Sequence, residues 1–341
     1  GSKMIVRNLY GSLRSKLGPK QRSALSKLVF SISGKPFVYA QNKANYKGFP
    51  QMQRGGFIIS ADFEMAWAFR YSKRKVDPLA MAQLERENIP ELLKLFERYN
   101  IPITWATVGH LMLESCNKGD HDWMQRLPYV DDHWRYTSGD WFDADPYTDY
   151  KTDNAWYAPD ILELILKSPV KHEIGCHTFS HIDCLDRNCP PQVLDDEIVA
   201  CKNAAKAWDI ELKSFVFPGG TAGNFPILKK HGFQIYRRNL AHDLAYPYPD
   251  GHGMFITPST SSFGKIHDWS ADYYIYRFKT MLNKAFKTNA VAHIWLHPSV
   301  DKWTISEVMP EVLKYAADLR ESGKLWIGTM GEISNYINEC G

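Results

Sequence analysis

The sequence predicts an α/β fold, a deformed (β/α) barrel of seven or eight units, on three observations. From about residue 56, short apolar runs of strand length alternate with longer segments of helical period, the pattern of parallel βαβ units. Several of the apolar runs end in polar, chemically capable residues, as strands do at the open face of such a barrel. The chain has 341 residues, 44% hydrophobic and 23% charged, enough for a sizeable core and outside the disordered, collagen-like and disulfide-scaffold classes. No run approaches the ~20 apolar residues of a transmembrane helix.

The elements follow in order. Phe57 to Ala61 reads as a buried strand that ends in Asp62-Phe63-Glu64. Asn88-Ile89-Pro90-Glu91 reads as a helix start, with Asn88 as the cap and Pro90 in the first turn. Residues 102–108 form the next strand, and an insertion of about 114–158 follows it. Pro159 opens a helix. Strands are then expected at 172–176, 214–217, 233–236, 254–257, 291–296 and 325–327, with helices at 191–208, 224–231, 271–287 and 305–322 between them. A last helix begins at Thr329, with Glu332 completing a capping box.

Charge divides the chain in two. The first 61 residues contain no Asp or Glu and eleven basic residues, so the net charge of +3 hides +11 on this arm and −8 on the remainder. Residues 1–55 are therefore read as a basic extension and 56–341 as the barrel domain. Pro19 splits the extension into two short amphipathic helices, followed by a loop rich in Gly, Asn and Lys. Nucleic-acid binding would rest on this arm alone, with no recognisable module, and is not expected. The six cysteines form no regular framework and no secretory apolar region follows the start, which predicts reduced thiols and a cytoplasmic setting.

Three strand ends carry chemistry. Asp62 and Glu64 stand at i and i+2 and point to one face of an extended chain; two such carboxylates repel unless a cation or a proton lies between them. His177-Thr178-Phe179-Ser180-His181 spaces two imidazoles as on one face of a helical turn, a common chelate spacing. With a carboxylate they would make a two-His, one-carboxylate metal site. His297, in Trp295-Leu296-His297-Pro298, is a candidate general acid.

In this order the segments Ser60-Ala61-Asp62-Phe63-Glu64, His177-Thr178-Phe179-Ser180-His181, Phe217-Pro218-Gly219-Gly220 and Trp295-Leu296-His297-Pro298 resemble the motifs of the polysaccharide deacetylases (carbohydrate esterase family four, the NodB homology group). The resemblance spans about residues 56–340 and implies the TIM-like NodB barrel. It implies a hydrolase that removes an acetyl group from an N-acetylated sugar with a divalent metal, most often zinc. Asp62 would be the general base, Glu64, His177 and His181 the metal ligands, and His297 the acid. Trp67, Arg70, Pro218, Gly219, Gly220 and Trp295 would contact the substrate, and a backbone N–H near Gly219-Gly220 could stabilise the oxyanion. Two departures stand out. The family's acidic residues are adjacent, whereas Phe63 separates them here, so the base and ligand roles could be exchanged. The family's third-motif Arg falls on Val216, and Arg70, Arg237 or Arg238 could replace it.

The implied setting is bacterial surface-glycan biosynthesis, with a sugar or lipid-linked glycan as substrate and the basic arm touching an anionic membrane. A non-glycan amidohydrolase and an inactive glycan-binding module are the rival readings. Two further features bear on the site. Cys176, Cys184 and Cys189 surround the His pair, although Cys184 and Cys189 are spaced more widely than a zinc knuckle. Residues 129–157 hold seven Asp and nine aromatics, among them Trp134, Trp141, Tyr147 and Trp156, which either stack on a sugar or pack the insertion onto the barrel.

Overall fold

The computed structural model describes residues 2–33, 38–39, 48–70, 73, 75–127, 142–239 and 243–340. Helices α1 (Ser2–Ser15) and α2 (Pro19–Ser33) and the short β1 (Val38–Tyr39) precede the alternating part. That part runs β2 (Gly55–Phe63), α3 (Pro78–Arg98), β3 (Thr104–Thr107), α4 (Pro159–Leu166), β4 (Glu173–Cys176), α5 (Pro191–Lys206), β5 (Ser214–Val216), α6 (Phe225–Lys230) and β6 (Ile235–Arg238). It continues with β7 (Asp243–Leu244), β8 (Tyr248–Pro249), β9 (Phe255–Pro258), β10 (Ser261–Ser262), α7 (Ala271–Thr288), β11 (Val291–Leu296), α8 (Met309–Glu321), β12 (Leu325–Ile327) and α9 (Met330–Cys340).

The main sheet has the order β8-β9-β6-β5-β4-β3-β2-β11-β10 and is parallel except for β8 on β9. It curls into a deformed barrel. Residues 255–262 bridge its two ends: β9 pairs with β6, and β10 pairs with β11 a few residues later. β12 pairs with the first residues of β2, Gly55–Phe57, while β3 pairs with Ser60–Phe63 on that strand.

Every residue of β2 is buried, because the strand has a core on both faces. Phe57, Ile59, Ala61 and Phe63 belong to the core that includes the surrounding helices, whereas Ile58 joins Ala106, Val216, Ile235, Val291 and Trp326 in a separate interior cluster. Each fully buried side chain of this size contributes ~1.5–3 kcal/mol of transfer free energy. The same alternation puts Ser60 and Asp62 on the interior face, above Ile58. At the base of the barrel, a Cβ on Gly55 would lie 2.6 Å from the Phe286 Cα, so α7 rests on bare strand backbone.

The element order agrees with the sequence reading apart from details. The helix expected to start at Asn88 starts ten residues earlier, at Pro78, with the Asp77 side chain capping the Leu79 amide (3.0 Å). Pro90 therefore lies inside α3. Asn88 is buried, and its amide donates to the carbonyls of Pro298 (2.9 Å) and Val300 (2.8 Å), tethering the loop after β11. A π-helical turn, Thr304–Val308, leads into α8. At α9 the capping box is made in both directions, Thr329 N to Glu332 Oε1 and Glu332 N to Thr329 Oγ1, each 3.1 Å. Part of the expected loop after α2, and Trp134 and Trp141 of the insertion, lie outside the described residues.

Candidate active site

The C-terminal ends of β2, β4, β5, β6 and β11 meet at one end of the barrel. Asp62 is the penultimate residue of β2, and Glu64 follows the strand. Met65, next in the chain, turns through the left-handed region (φ 50°). The buried Glu85 of α3 fixes this turn by accepting from the amides of Glu64 and Met65, both at 3.1 Å. His177 follows β4 directly. The segment to His181 is a loop and not the helical turn the spacing suggests: Thr178 (φ 61°) and His181 (φ 57°) are both left-handed.

That loop brings the two imidazoles together on one carboxylate. His177 Nε2 and His181 Nε2 each lie 3.1 Å from Glu64 Oε2. His177 Nδ1 donates to the Val216 carbonyl (2.7 Å), which leaves Nε2 facing the carboxylate; burial would lower this imidazole, but Glu64 and Asp62 together raise it. Nitrogen lone pairs and a carboxylate oxygen at this distance require a proton or a cation among them. All three residues are buried. Burial pushes His181 down to about 4 against the pull of Glu64, which favours its neutral, ligating form. The donor set fits a borderline divalent cation.

Asp62 sits beside this group but is held differently. Arg237 grips it through two bonds, Nη1 to Oδ1 at 2.8 Å and Nη2 to Oδ2 at 2.9 Å. Burial alone would raise the Asp62 carboxyl; the charge and hydrogen bonds of Arg237, together with the nearby His177 and His297, outweigh it and keep the group below its ordinary value. Among the three candidates for the missing Arg, Arg237 is the one that reaches Asp62, and it does so from β6, paired in register with Val216 on β5. Arg70 bonds to the Trp67 carbonyl instead. His297 Nε2 lies 3.3 Å from Glu64 Oε1 and 3.7 Å from Asp62 Oδ2, and with 40% of its side chain exposed it is the group that meets the solvent.

Behind Arg237 runs a buried polar chain. Arg237 Nη1 also donates to Ser60 Oγ (2.9 Å), and the Ser60 hydroxyl in turn meets His293 Nε2 (2.8 Å). His293 Nδ1 lies 3.2 Å from Thr257 Oγ1. Burial, and then the nearby Arg237, hold His293 well below the ordinary imidazole value, so it is neutral. The motifs did not single out Ser60, Glu85 or His293. The period of two would have found Ser60 and His293, which sit two residues before Asp62 and before Trp295.

Asp62, Glu64, His181, Gly219, Gly220, Arg237, Trp295 and His297 line a cavity of about 270 Å³. Gly219 and Gly220 both have positive φ, 60° and 70°, and the Gly220 amide is engaged with the Phe217 carbonyl (3.1 Å). Pro218 is buried. Trp67 is also fully buried, its indole N–H donating to the Trp156 carbonyl (3.1 Å), so it belongs to the packing behind the site. Cys176, Cys184 and Cys189 are buried and do not join the two histidines.

Fold and site together define a (β/α)-barrel protein of the kind that carries a histidine–carboxylate centre at its open end. Residues 77–236 match the family model described as Polysaccharide deacetylase, and the family resemblance read from the motifs is thereby shown for that segment. No curated protein is a detectable sequence relative. Among solved structures, one assigned as a polysaccharide deacetylase from Mycobacterium smegmatis superposes with a TM-score of 0.59 at 12% identity, over 89% of this chain and 95% of that one. One so assigned from Pseudomonas aeruginosa PAO1 gives 0.58 at 12% identity, over 85% and 93%. PuuE allantoinase also gives 0.58 at 12% identity, over 85% and 92%. At this identity the likeness is one of fold.

Proposed function

We propose that the chain is a cation-dependent hydrolase that removes the acetyl group from an N-acetylated sugar. The observation that carries this reading is the convergence of Glu64, His177 and His181 beside an arginine-held Asp62 and a solvent-facing His297, all at one polar cavity. Glu64, His177 and His181 would hold the cation, for which zinc suits the donor set. When bound, such an ion supplies Lewis acidity toward the acyl carbonyl and lowers the pKa of water.

The chain's own groups do the rest. Asp62, kept ionised by Arg237, accepts the proton of the attacking water. His297, exposed at the cavity mouth, delivers a proton to the leaving nitrogen, because an amine departs far more readily neutral than as an anion. The separation of partners supports this division of roles: Glu64 faces both imidazoles, and Asp62 faces the guanidinium.

A second cavity of about 350 Å³ shares Asn239 and Trp295 with the first and is further lined by Ser259, Trp269 and Arg277. This continuity favours a substrate longer than one ring, part of a surface glycan or its lipid-linked precursor, over a small cyclic amide. The basic arm would hold the enzyme at the cytoplasmic face of a membrane. No helix among the described residues is long and apolar enough to cross one.

The test is cation content together with acetate release from N-acetylated oligosaccharides, with a cyclic amide as the competing substrate. Asp62→Asn is expected to keep the cation and lose about 10²–10⁴-fold in kcat. His181→Ala is expected to lose about one equivalent of cation together with activity. Unchanged cation content in His181→Ala, or no acetate from any sugar, would overturn the proposal.

A further inference from the structure

A second set of metal-ligating side chains lies outside this site. His110 stands in the turn after β3, Cys116 and His121 in the first part of the insertion, and Asp145 further along it; all four are buried. One donor atom from each falls within 4.8 Å of all the others. Tetrahedral zinc, with bonds of ~2.0 Å to N or O and ~2.3 Å to S, sets N···O edges near ~3.3 Å and edges to sulfur near ~3.5–3.6 Å. Asp145 Oδ2 lies 3.3 Å from His121 Nε2 and 3.5 Å from Cys116 Sγ, and Cys116 Sγ lies 3.6 Å from His110 Nε2. Three edges therefore match. The fourth measured edge, His110 Nε2 to Asp145 Oδ2 at 2.9 Å, is contracted to a hydrogen bond.

The surroundings orient two of the donors, His110 and Asp145, inward, as ligand-orienting groups do around a metal. His110 Nδ1 donates to the Trp156 carbonyl (2.8 Å), which leaves Nε2 to the cluster. Asp145 Oδ1 accepts from the Tyr147 amide (3.0 Å) and the Tyr157 hydroxyl (3.2 Å), which leaves Oδ2 to the cluster. His121 Nε2, although near Asp145, is buried without a hydrogen-bond partner. A buried polar atom left unpaired within reach of a carboxylate, a thiol and a second imidazole marks an unfilled requirement. Cys116 and His121 also line a cavity of about 600 Å³, which gives an ion a way in.

We propose that His110, Cys116, His121 and Asp145 bind a zinc ion as a structural site. Four protein ligands close the coordination sphere, so the site is a staple and not a second catalytic centre. It joins the insertion, through Cys116, His121 and Asp145, to the turn after β3. His110 also packs on the Trp67 ring with centroids 4.4 Å apart, and Trp67 follows Glu64 by three residues. The staple thus backs the turn that presents Glu64. It stands on its own ligands, whatever reaction the first site performs.

The test uses the full chain loaded with zinc or with cobalt. Zinc content is expected to be about two equivalents per chain, falling to about one in Cys116→Ser and in His121→Ala. Loaded with cobalt, the protein should show the near-ultraviolet thiolate-to-cobalt charge-transfer band, because Cys116 is the thiolate and the first site has none. The band should vanish in Cys116→Ser and survive in His181→Ala and in Cys184→Ser. A wild-type cobalt protein without the band, or zinc content unchanged in His121→Ala, overturns the proposal; the first of these needs no variant to fold.

Discussion

A guanidinium buried among other groups is tolerable only when its donors are met, and Arg237 meets that condition with Asp62, Ser60 and the face of Trp295, 5.2 Å from the ring centroid. Removing it leaves a buried carboxylate without compensation, a loss of about 3–5 kcal/mol. Arg237→Val should therefore lower the melting temperature and reduce kcat/KM by about 10²–10⁴-fold, since Asp62 would no longer be held ionised and in place. Because Val216 and Arg237 pair in register and both face the barrel interior, the exchange Val216→Arg with Arg237→Val should recover at least about tenfold of that rate. A double variant no better than the single one in melting temperature and rate would show that the guanidinium works only from β6. The same residue shows what a linear motif can and cannot carry. Asp62, Glu64, His177, His181 and His297 were readable because each lies at or shortly after the end of β2, β4 or β11. The partner of Asp62 was not, because a strand register joins Val216 to Arg237 across 21 positions of sequence. Trp67 misled for the opposite reason: its distance from Glu64 in sequence is short, but the 3₁₀ turn Met65–Ala68 folds it inward.

At the scale of elements, the loop between β4 and α5 decides whether the imidazoles converge. Its left-handed residues, Thr178 and His181, are strained positions for side chains of these types, so neighbouring structure must hold them. Glu197 of α5 does so by accepting the Ser180 hydroxyl (2.5 Å). Burial pushes the Glu197 carboxyl up to about 7. The sign of the pH effect follows. Between the unfolded value, ~4.3, and about 7, the unfolded chain has released this proton while the folded chain keeps it, so stability falls as pH rises through that window by about 4 kcal/mol. Glu197→Gln removes the titration. Melting temperatures at pH 5 and pH 8 should therefore differ less in the variant than in the wild type; equal differences would show that Glu197 is not protonated in the fold. Most elements were legible because periodicity and caps are local. Asn88 looked like the helix start for a stretch that Asp77 in fact caps. Asn88 serves instead in tertiary bonds to Pro298 and Val300, and sequence spacing does not encode these. The cysteines repeat the point: proximity in sequence singled out Cys176, Cys184 and Cys189, whereas the thiol that meets imidazoles is Cys116.

At the scale of the whole molecule, the division of charge acquires a shape. α2 is seated on α7: Phe30 packs edge-on against Tyr273 and Tyr276, and Asp272 takes both Lys27 (2.6 Å) and the Ser23 hydroxyl (2.5 Å). α1 is tied down by Tyr10 on Ser26 (2.7 Å) and by Arg14 on the Asp268 carbonyl (2.5 Å). Yet Ile5, Leu9 and Leu13, spaced by four along α1, remain 61%, 56% and 51% exposed, and Leu28 of α2 is 55% exposed. An apolar stripe on a helix within a segment of net +11 is the composition of an interfacial helix. Basic residues near an anionic surface contribute about 1 kcal/mol each, and a Leu side chain that moves from water into the acyl boundary up to ~1.5–3 kcal/mol. The full chain should therefore sediment with vesicles containing an anionic phospholipid, less well with zwitterionic ones, and less well as salt rises. Leu9→Glu with Leu13→Glu should weaken the binding at least about tenfold, because it removes the apolar term and two units of attraction at once. Acetate release from a soluble oligosaccharide should be unaffected, since neither residue lines the catalytic cavity. Equal sedimentation of the variant and the wild type would remove the membrane from the function and leave the arm as a cover for α7.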